Sequence, residues 1–300
     1  MTNLYLGLDG GGTKTEAVIT DDQGLILGRG LASGTNPHNH DLDSLMAHLT
    51  QAIQATKINN DHFEAACFGI AGLDTPEQID QFTQMLRAQL NCHKLAVHND
   101  GYIGFRSGSD ADQGICLIAS TGSNCYGIAS DGSILSAGDW GYLIGDQGSG
   151  FAFGQSLIKQ VAKEYDGREL RTDLSSIVFD HFGVNNFSQL VENVYTNPSP
   201  IAYISGLGTL LSKPQFANQP DIRVAAKVTV NSLIEAFEAI YRRMDQTVPM
   251  PLVLVGKLFL AQDMITSPLI HQLTQNYPLV KPVIPLKTPA EAAAAIALKL

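Results

Sequence analysis

Residues 4–14 read Leu4-Tyr5-Leu6-Gly7-Leu8-Asp9-Gly10-Gly11-Gly12-Thr13-Lys14, an apolar run that ends on a carboxylate and breaks into three glycines. The run from Leu4 to Asp9 predicts a strand and the glycines a tight turn. Lys14 to Thr20 predicts a second strand, Asp21-Asp22-Gln23-Gly24 a second turn, and Leu25 to Ala32 a third strand. The same events recur about 110 residues later. Ile115 to Ala119 runs into Ser120-Thr121-Gly122-Ser123, followed by Asn124 to Ala129, the turn Ser130-Asp131-Gly132-Ser133 and Ile134 to Ala137. Two meanders of one design predict two related domains, each opening with a first turn rich in Gly, Ser and Thr.

Elsewhere the pattern is helical with strand interludes, which makes the class α/β. Helices are predicted over Asp41 to Thr56, Pro76 to Leu90, Gly148 to Tyr165, Asp221 to Met244 and Pro289 to Leu300. In the fourth of these, Ala226, Val230, Leu233, Ile234, Phe237, Ile240 and Met244 form one apolar stripe. In the third, Phe151, Ile158, Val161, Ala162 and Tyr165 fall at helical spacing. Strands are predicted over Ala65 to Ile70, Leu95 to His98, Leu252 to Val255 and Val280 to Pro285, and the domain junction near Gly108 to Gly114.

A chain of 300 residues has room for two cores. With 44% hydrophobic and 16% charged residues it is a globular composition, not a disordered one. Nineteen Lys+Arg against 29 Asp+Glu leave a formal charge of −10, with no basic run, so a nucleic-acid partner is not expected. Cys67, Cys92, Cys116 and Cys125 lie 25, 24 and 9 residues apart, which gives no zinc-type pair. They read as reduced, mostly buried thiols of a cytoplasmic protein. Leu4 to Leu8 has no basic residues before it and reads as a strand, not a signal peptide, and the apolar tail Ala290 to Leu298 is too short to span a membrane. His38, His40 and His98 show no spacing that converges on a metal.

A Gly-rich turn after a strand exposes successive backbone N–H groups, a concave nest for phosphate oxygens. Taken alone, either turn reads more readily as a plain tight hairpin than as a phosphate nest. Neither fits the dinucleotide fingerprint, which enters a helix, nor the Walker loop, because Leu258 follows Gly256-Lys257. Asp9-Gly10-Gly11-Gly12-Thr13-Lys14 resembles the first phosphate motif of the sugar kinase/Hsp70/actin superfamily, and Ala119-Ser120-Thr121-Gly122-Ser123-Asn124 resembles the second. More narrowly, Asn99-Asp100-Gly101 and the stretch Gly138-Asp139-Trp140-Gly141 through Gly145-Asp146-Gln147-Gly148-Ser149-Gly150 are similar to N-acetylglucosamine kinases of the BadF/BadG/BcrA/BcrD ATPase family.

The resemblance implies two actin-like (ribonuclease H-like) domains with a nucleotide cleft between them. Residues 1–112, completed by 287–300, would form the sugar side, and 113–286 the side of the second phosphate turn and the adenosine motif. It implies ATP, with Gly10, Gly11, Gly12, Thr13, Lys14, Thr121, Gly122 and Ser123 at its phosphates and Gly256-Lys257 at the adenosine. Mg2+ would be held by Asp9, through water. Asp100 would be the general base for the sugar's 6-hydroxyl, and Asn36, Asp100, Thr121, Asn124, Asp139 and Asp146 would meet the sugar. The expected partner is a small-molecule sugar, with a homodimer left open. Two departures bear on specificity. Asp139 stands where these kinases carry glycine, favouring a protonated amine at C2 if it faces the pocket, and Gln147 stands where many carry an acid. Asn36 and Asn124 nevertheless resemble the N-acetylglucosamine kinases, so N-acetylglucosamine is the expected substrate and glucosamine its rival. An ATPase activator carrying an iron–sulfur cluster is disfavoured, because Gly145 to Gln155 contains no cysteine.

Overall fold

The computed structural model describes residues 3–38, 40–59 and 62–300. In chain order the main elements are β1 (Tyr5–Gly10), β2 (Lys14–Thr20), β3 (Ile26–Ser33), α1 (Leu42–Ala55), β4 (Phe63–Ile70), α2 (Pro76–Gln89), β5 (Cys92–Asn99) and α3 (Asp100–Gly108). Next come β6 (Gly114–Ala119), β7 (Ser123–Ile128), β8 (Ile134–Gly138), α4 (Gly141–Ile144), α5 (Gly150–Asp166), α6 (Leu174–Phe182), α7 (Phe187–Thr196) and α8 (Pro200–Ser205). The chain closes with α9 (Pro220–Tyr241), β9 (Met250–Val255), α10 (Ser267–Asn276), β10 (Val280–Val283) and α11 (Pro289–Lys299). By contact it divides into one unit of residues 1–111 and 283–300 and another of 112–282.

The first unit is built on a five-stranded sheet of order β3-β2-β1-β4-β5. Its meander β1-β2-β3 is antiparallel, and β4 and β5 extend it in parallel to β1. Leu45, Leu49 and Ala52 of α1 and Phe82 and Leu86 of α2 bury one side with Leu6, Leu8, Phe68 and Ile70 of the sheet. On α11, Ala293 and Ala297 pack with Ala65, Cys67 and Ile103, while Ala290 and Ala294 meet Val18. The alanines have a reason. A Cβ on Gly7 would stand 2.1 Å from the Ala294 backbone nitrogen, so strand and helix backbones touch with no room for larger side chains. The helix starts where Thr288 and Glu291 close a capping box, with Pro289 behind them in the first turn.

The second unit repeats the plan, with sheet order β10-β9-β6-β7-β8, an antiparallel meander β6-β7-β8 and β9 parallel to β6. Its core gathers Ile115, Leu117, Phe153, Val161, Phe237, Leu252 and Leu254. Of the stripe on α9, Ala226, Val230, Leu233, Phe237 and Ile240 are buried and Ile234 is half-buried. Met244, beyond the helix end, is buried with them.

The α/β class and the two meanders stand as read from the sequence, with strand ends shifted by one or two residues. Three differences have physical causes. Tyr165, placed on the apolar face of α5, is exposed at the last turn of that helix and stacks on Phe187 of α7 instead of entering the core. The helices α6, α7, α8 and α10 were not separately legible, since each is short and takes its stability from packing rather than from a long apolar period. Residues 100–108 form a helix that was not among the predicted ones, being short and interrupted by Gly101 and Gly104.

Candidate functional site

In the first unit the carboxyl ends of three adjacent parallel strands are in register. Asp9 pairs with Gly69 and Gly10 with Ile70, and Ile70 in turn pairs with Asn99. Asp9, the glycine turn and Asp100 therefore share one end of the sheet, where open α/β sheets take their ligands. Adjacent strands lie about 4.8 Å apart, so β1 and β5 are separated by about 10 Å.

The turn is closed by the Gly11 N–H donating to the Lys14 carbonyl at 2.9 Å. A second layer supports it. Thr35 N–H donates to the Gly11 carbonyl at 2.9 Å, and Thr15 hydroxyl reaches the Ser33 carbonyl at 2.8 Å and the Thr35 hydroxyl at 3.0 Å. A Cβ on Gly10 would fall 2.2 Å from Thr35 Oγ1, so the close approach requires glycine there. Thr35, buried and absent from the sequence-level site, is the residue that locks the turn.

Asp9 keeps part of its surface in solvent, yet protein crowds its carboxyl. Burial pushes that carboxyl up to about 6, opposed by the Lys14 ammonium and reinforced by Glu16. A cation beside it would favour the ionised form, and one carboxylate with room for water is the donor set Mg2+ prefers, so the residues present fit that ion. Lys14 itself reaches Glu16 at 3.5 Å, and Arg29 reaches Glu16 at 3.3 Å.

Asn99 caps α3, its Oδ1 accepting from Gly101 N–H at 2.8 Å, while its Nδ2 donates to Asp74 Oδ1 at 3.0 Å. Asp100 is thus the first residue of a helix, where the partial positive charge of the N-terminus favours a carboxylate. The capping side chain is that of Asn99, which leaves the Asp100 carboxylate out of the cap. Asn36 Oδ1 accepts from His38 N–H at 2.8 Å. Gly72, at φ +81°, leaves space for it, since a Cβ would lie 2.6 Å from that oxygen. Asp74 was missed from the sequence. Burial raises its carboxyl above the usual range and His38 lowers it, and its only local signal was the Thr75–Gln78 capping box that follows.

In the second unit the corresponding turn is Ser120 to Gly122, closed by Ser120 N–H donating to the Gly122 carbonyl at 2.9 Å. Asp146 braces it: Oδ1 accepts from Ser123 N–H at 3.1 Å, and a Cβ on Gly122 would meet Asp146 Oδ2 at 3.0 Å. Burial raises the Asp146 carboxyl and the Ser123 hydrogen bond opposes that. Ser123 Oγ accepts from Gly148 N–H at 3.1 Å, and the Gly150 N–H donates to the Ser120 carbonyl at 2.8 Å, which seats the start of α5 on the turn. Asn124 is buried beneath, and its Nδ2 donates to Asp139 Oδ2 at 3.0 Å. Ser123, Asn124, Asp146 and Ser232 line a small pocket. Gly256, at φ +120°, follows β9 beside the turn, a Cβ there falling 2.1 Å from the Ala119 carbonyl oxygen, and Lys257 after it is exposed. Trp140 is 73% exposed and so takes no part in the core of its unit.

Each unit therefore assembles its own share of the sequence-level residues: Asp9, Gly10 to Lys14, Asn36 and Asp100 in the first, and Thr121 to Asn124, Asp139, Asp146, Gly256 and Lys257 in the second. Known proteins are similar to this chain in sequence and in fold. The N-acetyl-D-glucosamine kinase of Dictyostelium discoideum is 24% identical over 98% of both chains. The N-acetylmuramic acid/N-acetylglucosamine kinase of Clostridium acetobutylicum is 30% identical over 194 residues, a match spanning 63% of this chain and 63% of that one. Among solved structures, a Chromobacterium violaceum protein provisionally named an N-acetylglucosamine kinase superposes with a TM-score of 0.75 at 21% identity, covering 98% and 99% of the two chains. The profile of one family runs from the first strand to the C-terminal helix, residues 6–297, across both actin-like units, and the chain belongs to that family, the BadF/BadG/BcrA/BcrD ATPases.

Proposed function

We propose that this chain is an ATP-dependent kinase that transfers the γ-phosphoryl group of ATP to the 6-hydroxyl of N-acetylglucosamine. The observation that carries the reading is Asp100, set at a helix N-terminus beyond β5 and on the same sheet end as Asp9 and the Gly10 to Lys14 turn. The kinases named above support the substrate class.

In this reading Asn36 and Asp100 of the first unit meet the sugar, and the second unit takes the nucleotide's adenosine. Backbone N–H groups of Gly10 to Lys14 and of Thr121 to Ser123 take phosphate oxygens, with glycine allowing the backbone to come close. Asp9 would hold Mg2+, which when bound would offset charge on the phosphates. Asp100 accepts the 6-hydroxyl proton as that oxygen bonds to the γ-phosphorus and the bond to the bridging oxygen of ADP breaks. Asn36, Thr121, Asn124 and Asp146 hydrogen-bond sugar hydroxyls or the acetamido group, which discriminates better than an apolar slot. Lys257 lies along the adenosine. The reaction belongs in the cytoplasm, and among the described residues no helix is long and apolar enough to cross a membrane.

Glucosamine is the second reading, and it requires the Asp139 carboxylate to face the sugar's 2-amino group. Coupled ADP release across a panel of hexoses and hexosamines tests both. Turnover highest with N-acetylglucosamine is expected. Nucleotide hydrolysis indifferent to every sugar would reject the kinase.

A further inference from the structure

Away from both turns, His62, Glu64 and His93 bring three metal-ligating side chains together, the one such group among the described residues. Each offers one donor atom, and these atoms lie within 4.8 Å of one another. Distance along the chain hid the group, because Glu64 and His93 belong to different strands. Phe63 pairs with Cys92 and Ala65 with Lys94 in the parallel β4–β5 ladder, which sets Glu64 opposite His93. His62, two residues before Glu64, points to the same side of the pleat.

A second observation concerns the proton on His62. Its Nδ1 lies 3.2 Å from the amide oxygen of Asn91. An amide oxygen only accepts, so Nδ1 carries the hydrogen and Nε2 is the basic nitrogen. Metal-binding histidines are held in this way, the remote N–H fixed by an oxygen acceptor so that ring and tautomer are set before the ion arrives. The His62 and His93 rings already meet edge to face, with centroids 4.7 Å apart. His93 is exposed and turns at little cost.

We propose that His62, Glu64 and His93 form a binding site for a borderline divalent transition metal, with Zn2+ as its ion, clamping the edge strand β5 to β4. Imidazole suits Zn2+ and its neighbours, whereas Mg2+ demands oxygen ligands, so the site does not compete for the ion of the nucleotide. Two nitrogens bound at 2.0–2.1 Å to one tetrahedral ion stand about 3.3 Å apart, so side-chain rotation closes the remaining gap and water completes the shell. At about 3.3 Å per residue, His93 lies roughly 20 Å from Asp100 along β5.

Calorimetric titration of the full chain with Zn2+, without nucleotide, tests this, together with Co2+ titration read by visible absorption. One ion per chain is expected. His93→Ala should weaken binding by at least ~10-fold, Asn91→Ala by a smaller factor, and His271→Ala, a substitution of an exposed histidine on α10, not at all. Zn2+ should raise the wild-type Tm more than that of His93→Ala at the same concentration, because an ion that binds only the folded state stabilises it by mass action. Absence of stoichiometric binding, or equal affinity in wild type, His62→Ala and His93→Ala, overturns the proposal. Because His93 is exposed, its variant decides the matter even if His62→Ala fails to fold.

Discussion

The side-chain amide of buried Asn124 donates to the carboxylate of Asp139 at 3.0 Å, and the Ser136 hydroxyl reaches the Asn124 oxygen at 3.4 Å. The acid that stands where glycine was expected is thus turned toward Asn124 and partly engaged within its own unit. A carboxylate already accepting a hydrogen bond has less to offer a protonated amine on a sugar. Wild-type kcat/KM is therefore expected to favour N-acetylglucosamine, and Asp139→Gly to change the ratio of the two sugars by less than about 5-fold, under 1 kcal/mol. Asp139 also sits at φ +64°. Glycine is at ease there and alanine is not, so thermal melting should rank Asp139→Gly above Asp139→Ala.

Asp100→Asn keeps the shape of the first turn of α3 and removes the proton acceptor. Turnover should fall by at least ~10²-fold, the usual scale of lost general-base catalysis, with sugar and ATP affinity nearly intact. Steady-state kinetics beside direct binding separates the two, and an unchanged kcat would remove Asp100 from the reaction.

Gly122→Val places methyl groups where Asp146 Oδ2 would already be 3.0 Å from a Cβ. It should weaken ATP binding by 10-fold or more, about 1.4 kcal/mol. Asp9→Ala should weaken Mg2+–ATP binding while leaving metal-free ATP binding little changed. Calorimetry with and without Mg2+ reads both.

Burial holds the Asp146 carboxyl above the usual carboxylate range in the folded chain, although Ser123 N–H opposes the shift. A raised folded value means that the native state holds this proton more tightly than the unfolded state. The contribution is fully present in acid and is lost as pH rises through the folded value. Asp146→Asn should therefore gain Tm relative to wild type at pH 7, and gain less or nothing at pH 4. A difference between the two proteins that does not depend on pH would show that the carboxyl is not strained by burial.

Cys67, Cys116 and Cys125 are buried and Cys92 is half-buried. Burial pushes the Cys67 thiol up to about 12 and raises that of Cys125 further, so neither forms thiolate readily. Thiol titration of the native chain should find one reactive group, at Cys92, and all four after unfolding. Loss of the native signal in Cys92→Ser would confirm the assignment.

Local chemistry wrote much of this protein openly. Two Gly- and Ser-rich turns after apolar strands, the apolar stripe on α9 and the run of alanines in α11 are legible because side-chain period and turn preference act over a few residues. The phosphate turns and Asp100 were likewise legible as candidates, through the short motifs that contain them. What no window of sequence contained is which residues stand side by side. Sheet register sets Asp9 beside Gly69 and Ile70 beside Asn99, and so gathers one end of the first unit from three separate segments. It also sets Glu64 opposite His93, and the fold of the second meander returns Asp139 to Asn124. Thr35 and Asp74 matter only through partners that the folded sheet supplies. Hydrogen-bond ladders join strands whatever their separation along the chain, and so the sequence by itself determined the pieces of each site while the tertiary structure alone decided their neighbours.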